Sequence, residues 1–339
     1  MSDTIKRISS LAIDRRPSDG IDVRTTPREW LTHGSLFLLT FITTTLAGLI
    51  LMTPALSVPT PPLRGLISYL LYIPRVYFWN IAALIEIAFL NQSVLAQGLT
   101  FSLTLLAILT AHEMGHYLAC RRYGVKATLP FFIPAPPLFL AGTFGAFIKI
   151  RSVIPSRKAL FDIGLAGPLA GFIVALPVAV IGILNAGPPQ PPLGGELIFN
   201  DPLLFRLLAK LLGVQLDPYS PINPCYLSAW IGLLVTSLNL MPVGQLDGGH
   251  GTFAFFGGRA HSLIGRAAFL SMVVLALLGF FWHGSPSGFL YCVLLGVMLK
   301  VRHPQPVVME PLGKFRVVVG LITLTVFVLC FWPFPITLT

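Results

Sequence analysis

The run from Gly98 to Cys120, GLTFSLTLLAILTAHEMGHYLAC, is apolar enough to cross a bilayer, yet it carries His112, Glu113 and His116 near one end. Charged and titratable groups are costly in lipid and are kept there for use, so this segment limits both the fold and the chemistry. By composition alone, His-Glu-x-x-His would arise roughly 0.002 times in a chain of this make-up, so coincidence is a poor explanation. On a helix, residues four apart differ in direction by about 40°, so His112 and His116 can present imidazole nitrogens to one ion while Glu113 flanks them.

Composition extends the membrane reading to the whole chain. Hydrophobic residues make up 55% and charged residues 11% of 339 residues, and mean hydropathy is +0.80, values foreign to a water-soluble domain. The expectation is an all-α polytopic membrane protein with six or seven transmembrane helices and a re-entrant, β-like loop near the active site. Windows of about 20 residues place spans near 34–53, 98–119, 160–184, 224–241, 264–283 and 315–332, with a shorter seventh at 287–300. With the N-terminus in the cytoplasm and one crossing per candidate, 19 of the 23 Lys and Arg residues fall inside, leaving Arg64, Arg75, Arg206 and Lys210 outside. The net charge of +10 then reflects topology and an anionic inner leaflet of the lipid bilayer, with no need for nucleic acid. The first apolar run lacks a following cleavage site, so it reads as a retained anchor, and a bacterial inner membrane is expected, a processed organellar form staying open.

Five regions follow. Residues 1–33 form a charged cytoplasmic arm; 34–97 hold the first anchor and an outer interfacial or re-entrant hairpin interrupted by Pro74, Arg75 and Glu86. Residues 98–255 form the catalytic membrane core, 185–224 a short outer loop within it, and 256–339 the C-terminal transmembrane helices. In the outer loop, DPLLFRLLAKLLG suits a short amphipathic helix. The stretch 129–150 is apolar but rich in Pro and Gly, with basic residues at both ends, so both ends belong on one side. Non-helical backbone at that depth must be buried in protein or line a wet cavity, and GTFGAFIKI has the alternation of a short strand. Cys120, Cys225, Cys292 and Cys330 show no metal spacing; a Cys225–Cys330 bridge near the outer face stays open.

A catalytic zinc needs a third protein ligand and an open position for water. The best candidate is Asp247 in NLMPVGQLDGGH, where Pro242, Gly244, Gly248 and Gly249 break the helix and let a carboxylate turn inward. A turn or cap role for Asp247 is the plainer alternative. His250 reads as a neighbour of the site or an interfacial residue rather than a ligand, and Asp162 as a helix N-cap. The glycines of GPLAG read as a close helix contact.

Together, His-Glu-x-x-His on one span and Asn239, Pro242, Leu246, Asp247 and Gly248 on a later one resemble the site-2 protease family of intramembrane zinc metalloproteases. The similarity extends over GTFGA (142–146) and DIGLAGPLAG (162–171), in order across 98–255. The inserted PDZ domain and C-terminal CBS domains of some relatives are not seen. The resemblance implies that His112, His116 and Asp247 hold Zn²⁺, that Glu113 is the catalytic general base and acid, and that a membrane-anchored protein substrate is cut near the cytoplasmic face. It also implies that Asn239 holds the substrate carbonyl or oxyanion, with a simple interhelical hydrogen bond as the alternative. Gly142, Thr143 and Gly145 would offer a strand edge to an unwound substrate. A divalent-metal transporter is the rival reading; it would require polar ligands through the membrane depth, where these spans offer only hydroxyls.

Overall fold

The computed structural model describes residues 26–53, 65–137, 139, 141–189, 197–301, 303 and 305–338. The N-terminal arm before residue 26 and most of the GPPQPPLGG stretch lie outside them. The described chain is mainly helical, and five of its helices are long and apolar enough to cross a membrane. The multi-pass, all-α reading therefore holds.

Helix α1 (Pro27–Met52) starts seven residues earlier than the hydropathy windows place it. Thr26 and Glu29 close a reciprocal capping box, with Pro27 pre-set for the first turn. Its first turns thus belong to the fold rather than to the arm, and His33 is buried against the Pro130 carbonyl at 3.0 Å. Helix α2 (Leu66–Leu90) follows, then α3 (Gln92–Arg122), which carries the His-Glu-x-x-His segment. The pairing of α1 with α3 is antiparallel: Gly48 meets Gly98 and Phe101 at one end, while Glu29 reaches Arg151, beyond the end of α3, at the other, 2.9 Å away.

Within 54–97, where a hairpin is expected, residues 54–64 lie outside the described residues, and Leu66–Leu90 form one continuous helix running through Pro74. Residues Leu70–Leu90 are long and apolar enough to cross. The end of α1 and the start of α3 share one end of the bundle.

After α3, strands β1 (Phe131–Pro134) and β2 (Thr143–Phe147) form an antiparallel hairpin with Phe131 opposite Phe147 and a bulge beyond Phe132. Strand pairing engages its backbone, and His33 of α1 donates to the Pro130 carbonyl just before β1, partners that irregular chain needs at membrane depth. Helix α4 (Arg157–Leu184) then returns antiparallel to α3, capped by Ser156. Its buried stripe of Gly164, Gly167, Gly171, Ala175, Ala179 and Gly182 brings neighbouring backbones close, the usual device where lipid removes the hydrophobic drive for association.

Strand β3 (Leu197–Phe199) and the amphipathic α5 (Leu203–Leu212), which buries Leu204, Phe205 and Ala209, form the loop before α6 (Pro224–Asn239). Helix α6 has 16 residues and is wrapped by protein: Leu227, Ala229, Trp230 and Leu233 are fully or almost fully buried. Short turns lead to α7 (Asp247–Phe256), then α8 (Gly258–His283), α9 (Ser287–Met298), α10 (Lys314–Cys330) and β4 (Ile336–Leu338), which pairs with β3. All four cysteines are free, so the Cys225–Cys330 bridge does not form.

Candidate metal centre

Two helices supply the ligands. His112 and His116 lie on the same buried face of α3, one turn apart, and Asp247 opens α7, where a helix N-terminus favours a carboxylate. Asp247 Oδ2 lies 3.3 Å from His112 Nε2 and 3.4 Å from His116 Nε2, and the two Nε2 atoms are 3.2 Å apart. Among the described residues, this is the one cluster of three or more metal-ligating side chains.

The donor set fits zinc. Ligand bonds of about 2.0–2.1 Å in a tetrahedron set donor atoms about 3.3 Å apart, the spacing found here. Two imidazoles and one carboxylate, all at most lightly exposed, concentrate negative charge and lone pairs that burial would penalise without a cation. His116 Nδ1 donates to the Ile163 carbonyl on α4 at 2.7 Å, which fixes the tautomer and leaves Nε2 free to face the cluster.

Glu113 is buried beside the pair, its Oε1 4.0 Å from His112 Nε2. The backbone N–H of Ile148, just after β2, lies near its carboxylate. Asn239, the last residue of α6, brings Nδ2 to 3.2 Å from His112 Nε2. Glycine at 167 is required by close approach: a Cβ there would fall on the His116 ring, at Nε2, Cε1 and Cδ2.

Other expected residues have different surroundings. Thr143 is buried, donates to the Ile133 carbonyl at 2.8 Å and accepts from Gly145 N–H at 3.0 Å, holding the hairpin bend. Gly142, at φ +63°, lies against the backbone of Thr43 on α1, where a side chain would not fit. Gly145 borders open space. None of the three joins the ligand cluster. His250 pairs through Nδ1 with His303 Nε2 at 2.8 Å and is not a member of it either. Asp162 is not an N-cap: it receives Arg316 from α10 in a two-pronged ion pair. The Ile163 carbonyl, the Ile148 N–H and the Gly167 cradle escaped the sequence reading; only the glycine spacing on α4 hinted at the last.

Residues 100–280, more than half of the chain, match Peptidase family M50. The chain belongs to that family. Its curated relatives include the probable zinc metalloprotease EGY2, chloroplastic, of Arabidopsis thaliana, 33% identical over 261 residues, 74% of this chain and 45% of the relative. The protein of the same name from Oryza sativa subsp. indica is 34% identical over 205 residues, covering 57% and 36% of the two chains. A probable zinc metalloprotease EGY1, chloroplastic, of Oryza sativa subsp. japonica is 36% identical over 183 residues, 51% of this chain and 31% of its own. The chain thus spans less than half the length of these M50 relatives. No solved structure matches it significantly.

These relatives are named chloroplastic, so they give no support to a bacterial inner membrane. Nor does the transporter alternative find support. The neighbouring polar contact along α3 is a hydroxyl pair, Thr104 with Ser228 at 2.7 Å, and no second ligand cluster occurs among the described residues.

Proposed function

We propose that this M50 member is a zinc endopeptidase that hydrolyses peptide bonds in or near transmembrane segments of membrane-anchored proteins. The observation that carries the reading is the convergence of His112 Nε2, His116 Nε2 and Asp247 Oδ2 within 3.4 Å of one another inside an apolar bundle. In this reading His112, His116 and Asp247 hold the ion. Zinc bound there lowers the pKa of a water toward about 7 and polarises the scissile carbonyl.

Glu113 takes the proton of the attacking water and delivers it to the leaving amine nitrogen. Asn239 donates its amide N–H to the carbonyl oxygen as negative charge develops there. A helical peptide bond is shielded, so the substrate must unwind; the edge of β2, with Gly145 bordering open space, takes the unwound stretch as an added strand and lays it beside Glu113. Gly142 and Thr143 act by shaping that edge. The site and the N-terminus lie on the basic, cytoplasm-equivalent side, as the distribution of Lys and Arg argues.

The test uses the full chain in lipid nanodiscs with a membrane-anchored reporter. Glu113→Gln is expected to keep zinc while cleavage falls by a factor of about 10² to 10⁴. Undiminished cleavage by Glu113→Gln would overturn the assignment.

A further inference from the structure

Arg316 sits in the first turn of α10, beyond the residues that match the family, yet it binds α4 at Asp162, one residue before a backbone partner of the metal centre. Its Nε donates to Asp162 Oδ1 at 2.8 Å and its Nη2 to Asp162 Oδ2 at 2.6 Å. The same Nη2 donates to the Tyr123 hydroxyl at 2.9 Å, and that hydroxyl donates to Asp162. Three helices are joined at one point: Tyr123 caps the end of α3, Asp162 lies on α4 and Arg316 on α10. Both carboxylate oxygens are engaged, so Asp162 is fixed in rotation as well as in place.

The next residue along α4 is Ile163, whose carbonyl holds His116 Nδ1 at 2.7 Å. Pro168 cannot donate to the Gly164 carbonyl one turn back, so this part of α4 lacks a rung of its ladder. A turn loosened in this way needs an outside restraint if it is to present a carbonyl at a constant position. His116 also packs against Gly167, one turn further along the same face of α4, so displacement of the α4 turn moves the ring.

We propose that Arg316 is a positioning residue for the metal centre, acting through Asp162 and Ile163 on the orientation of His116. The inference rests on the zinc reading above. It makes the C-terminal helix a determinant of how well the ion is held, and it assigns α10 a role beyond bundle packing. A nearby ion pair supplies the control: Lys158 and Glu310 meet at 3.2 Å and tie the segment before α10 to the start of α4, one turn before Asp162 and without a side-chain hydrogen bond to Asp162 or Ile163.

The test compares Arg316→Gln, Arg316→Lys and Lys158→Ala in the full chain in nanodiscs. Zinc affinity is read by chelator competition, ligand geometry by the visible absorption of the cobalt-loaded protein, and folding by thermal denaturation. Arg316→Gln is expected to weaken zinc about tenfold, as loss of a partner that orients a metal ligand does, and to change the cobalt spectrum. Arg316→Lys keeps the charge but loses the two-pronged contact, so it falls between. Lys158→Ala lowers thermal stability at most and leaves affinity and spectrum unaltered.

Wild-type zinc affinity and spectrum in Arg316→Gln, or equal weakening by Lys158→Ala, would overturn the proposal. If Arg316→Gln does not fold, Arg316→Lys decides on the same readouts. Failure of the wild-type chain to bind zinc at all sinks the underlying reading as well, which separates the two failures.

Discussion

Adding one methyl group at Gly167 probes the site without replacing a ligand. A Cβ at this position would overlap three atoms of the His116 ring, and the ring cannot retreat freely because Nδ1 is held by the Ile163 carbonyl. Relief requires α3 and α4 to part, yet Gly115 on α3 already lies against the Ala166 backbone. Overpacking of this kind costs about 1–3 kcal/mol in a close-packed core. At about 1.4 kcal/mol per factor of ten, strain taken up by the His116 ring weakens zinc binding by about 5- to 150-fold. Gly171→Ala is the matched control, since its Cβ would come only to 3.2 Å from His112 Cβ, and it is expected to stay within about threefold of wild type. Chelator competition on the full chain in nanodiscs measures both. Zinc affinity in Gly167→Ala within about twofold of wild type, with normal folding, would refute the argument that α4 forms a fitted wall behind His116.

Asn239→Ala is expected to lower kcat by about 10² or more while zinc affinity changes little, as for loss of an oxyanion donor; a change in KM alone would return Asn239 to a helix-packing role. Thr143→Val removes the hydroxyl that joins Ile133 and Gly145, so cleavage of a membrane-anchored reporter should fall through a higher KM, and an unchanged KM counts against the strand edge. Asp201, before α5, has its carboxyl raised above the usual range because burial disfavours its charge, opposed by the Tyr226 hydroxyl and Arg206. The neutral form is favoured in the fold, so its contribution is present below the ordinary carboxylate pKa and is lost as pH rises through the raised value. Asp201→Asn should therefore flatten part of the decline in Tm as pH rises above the ordinary carboxylate pKa of about 4, and an identical decline in the variant would contradict the sign.

The His112–His116 pair was legible because helical periodicity alone stacks residues four apart. Asp247 was legible for another reason: Pro and Gly around it break a span at the depth where the pair lies. The hairpin announced itself through four prolines and two glycines in an apolar stretch. A capping box at Thr26–Glu29 with Pro27 was also readable, and hydropathy windows passed over it because they ignore polar start signals.

What escaped depends on distance in the chain or on backbone atoms. No sequence pattern marks the Ile163 carbonyl or the Ile148 N–H, since every residue has them. Asp162 resembled a cap because it is a carboxylate near a helix start, and its partner lies 154 residues away. Pro74 suggested a break, yet α2 runs through it, because neighbouring groups can absorb one missing hydrogen bond in an apolar helix.

The central claim is that one zinc ion is held by His112, His116 and Asp247. X-ray absorption at the zinc edge on the full chain in nanodiscs tests it most directly. The account predicts one zinc per chain with two imidazole nitrogens and oxygen donors at about 2.0–2.2 Å, and loss of that ion in Asp247→Ala. Sulfur in the coordination shell, or an unchanged spectrum and stoichiometry in Asp247→Ala, would contradict it.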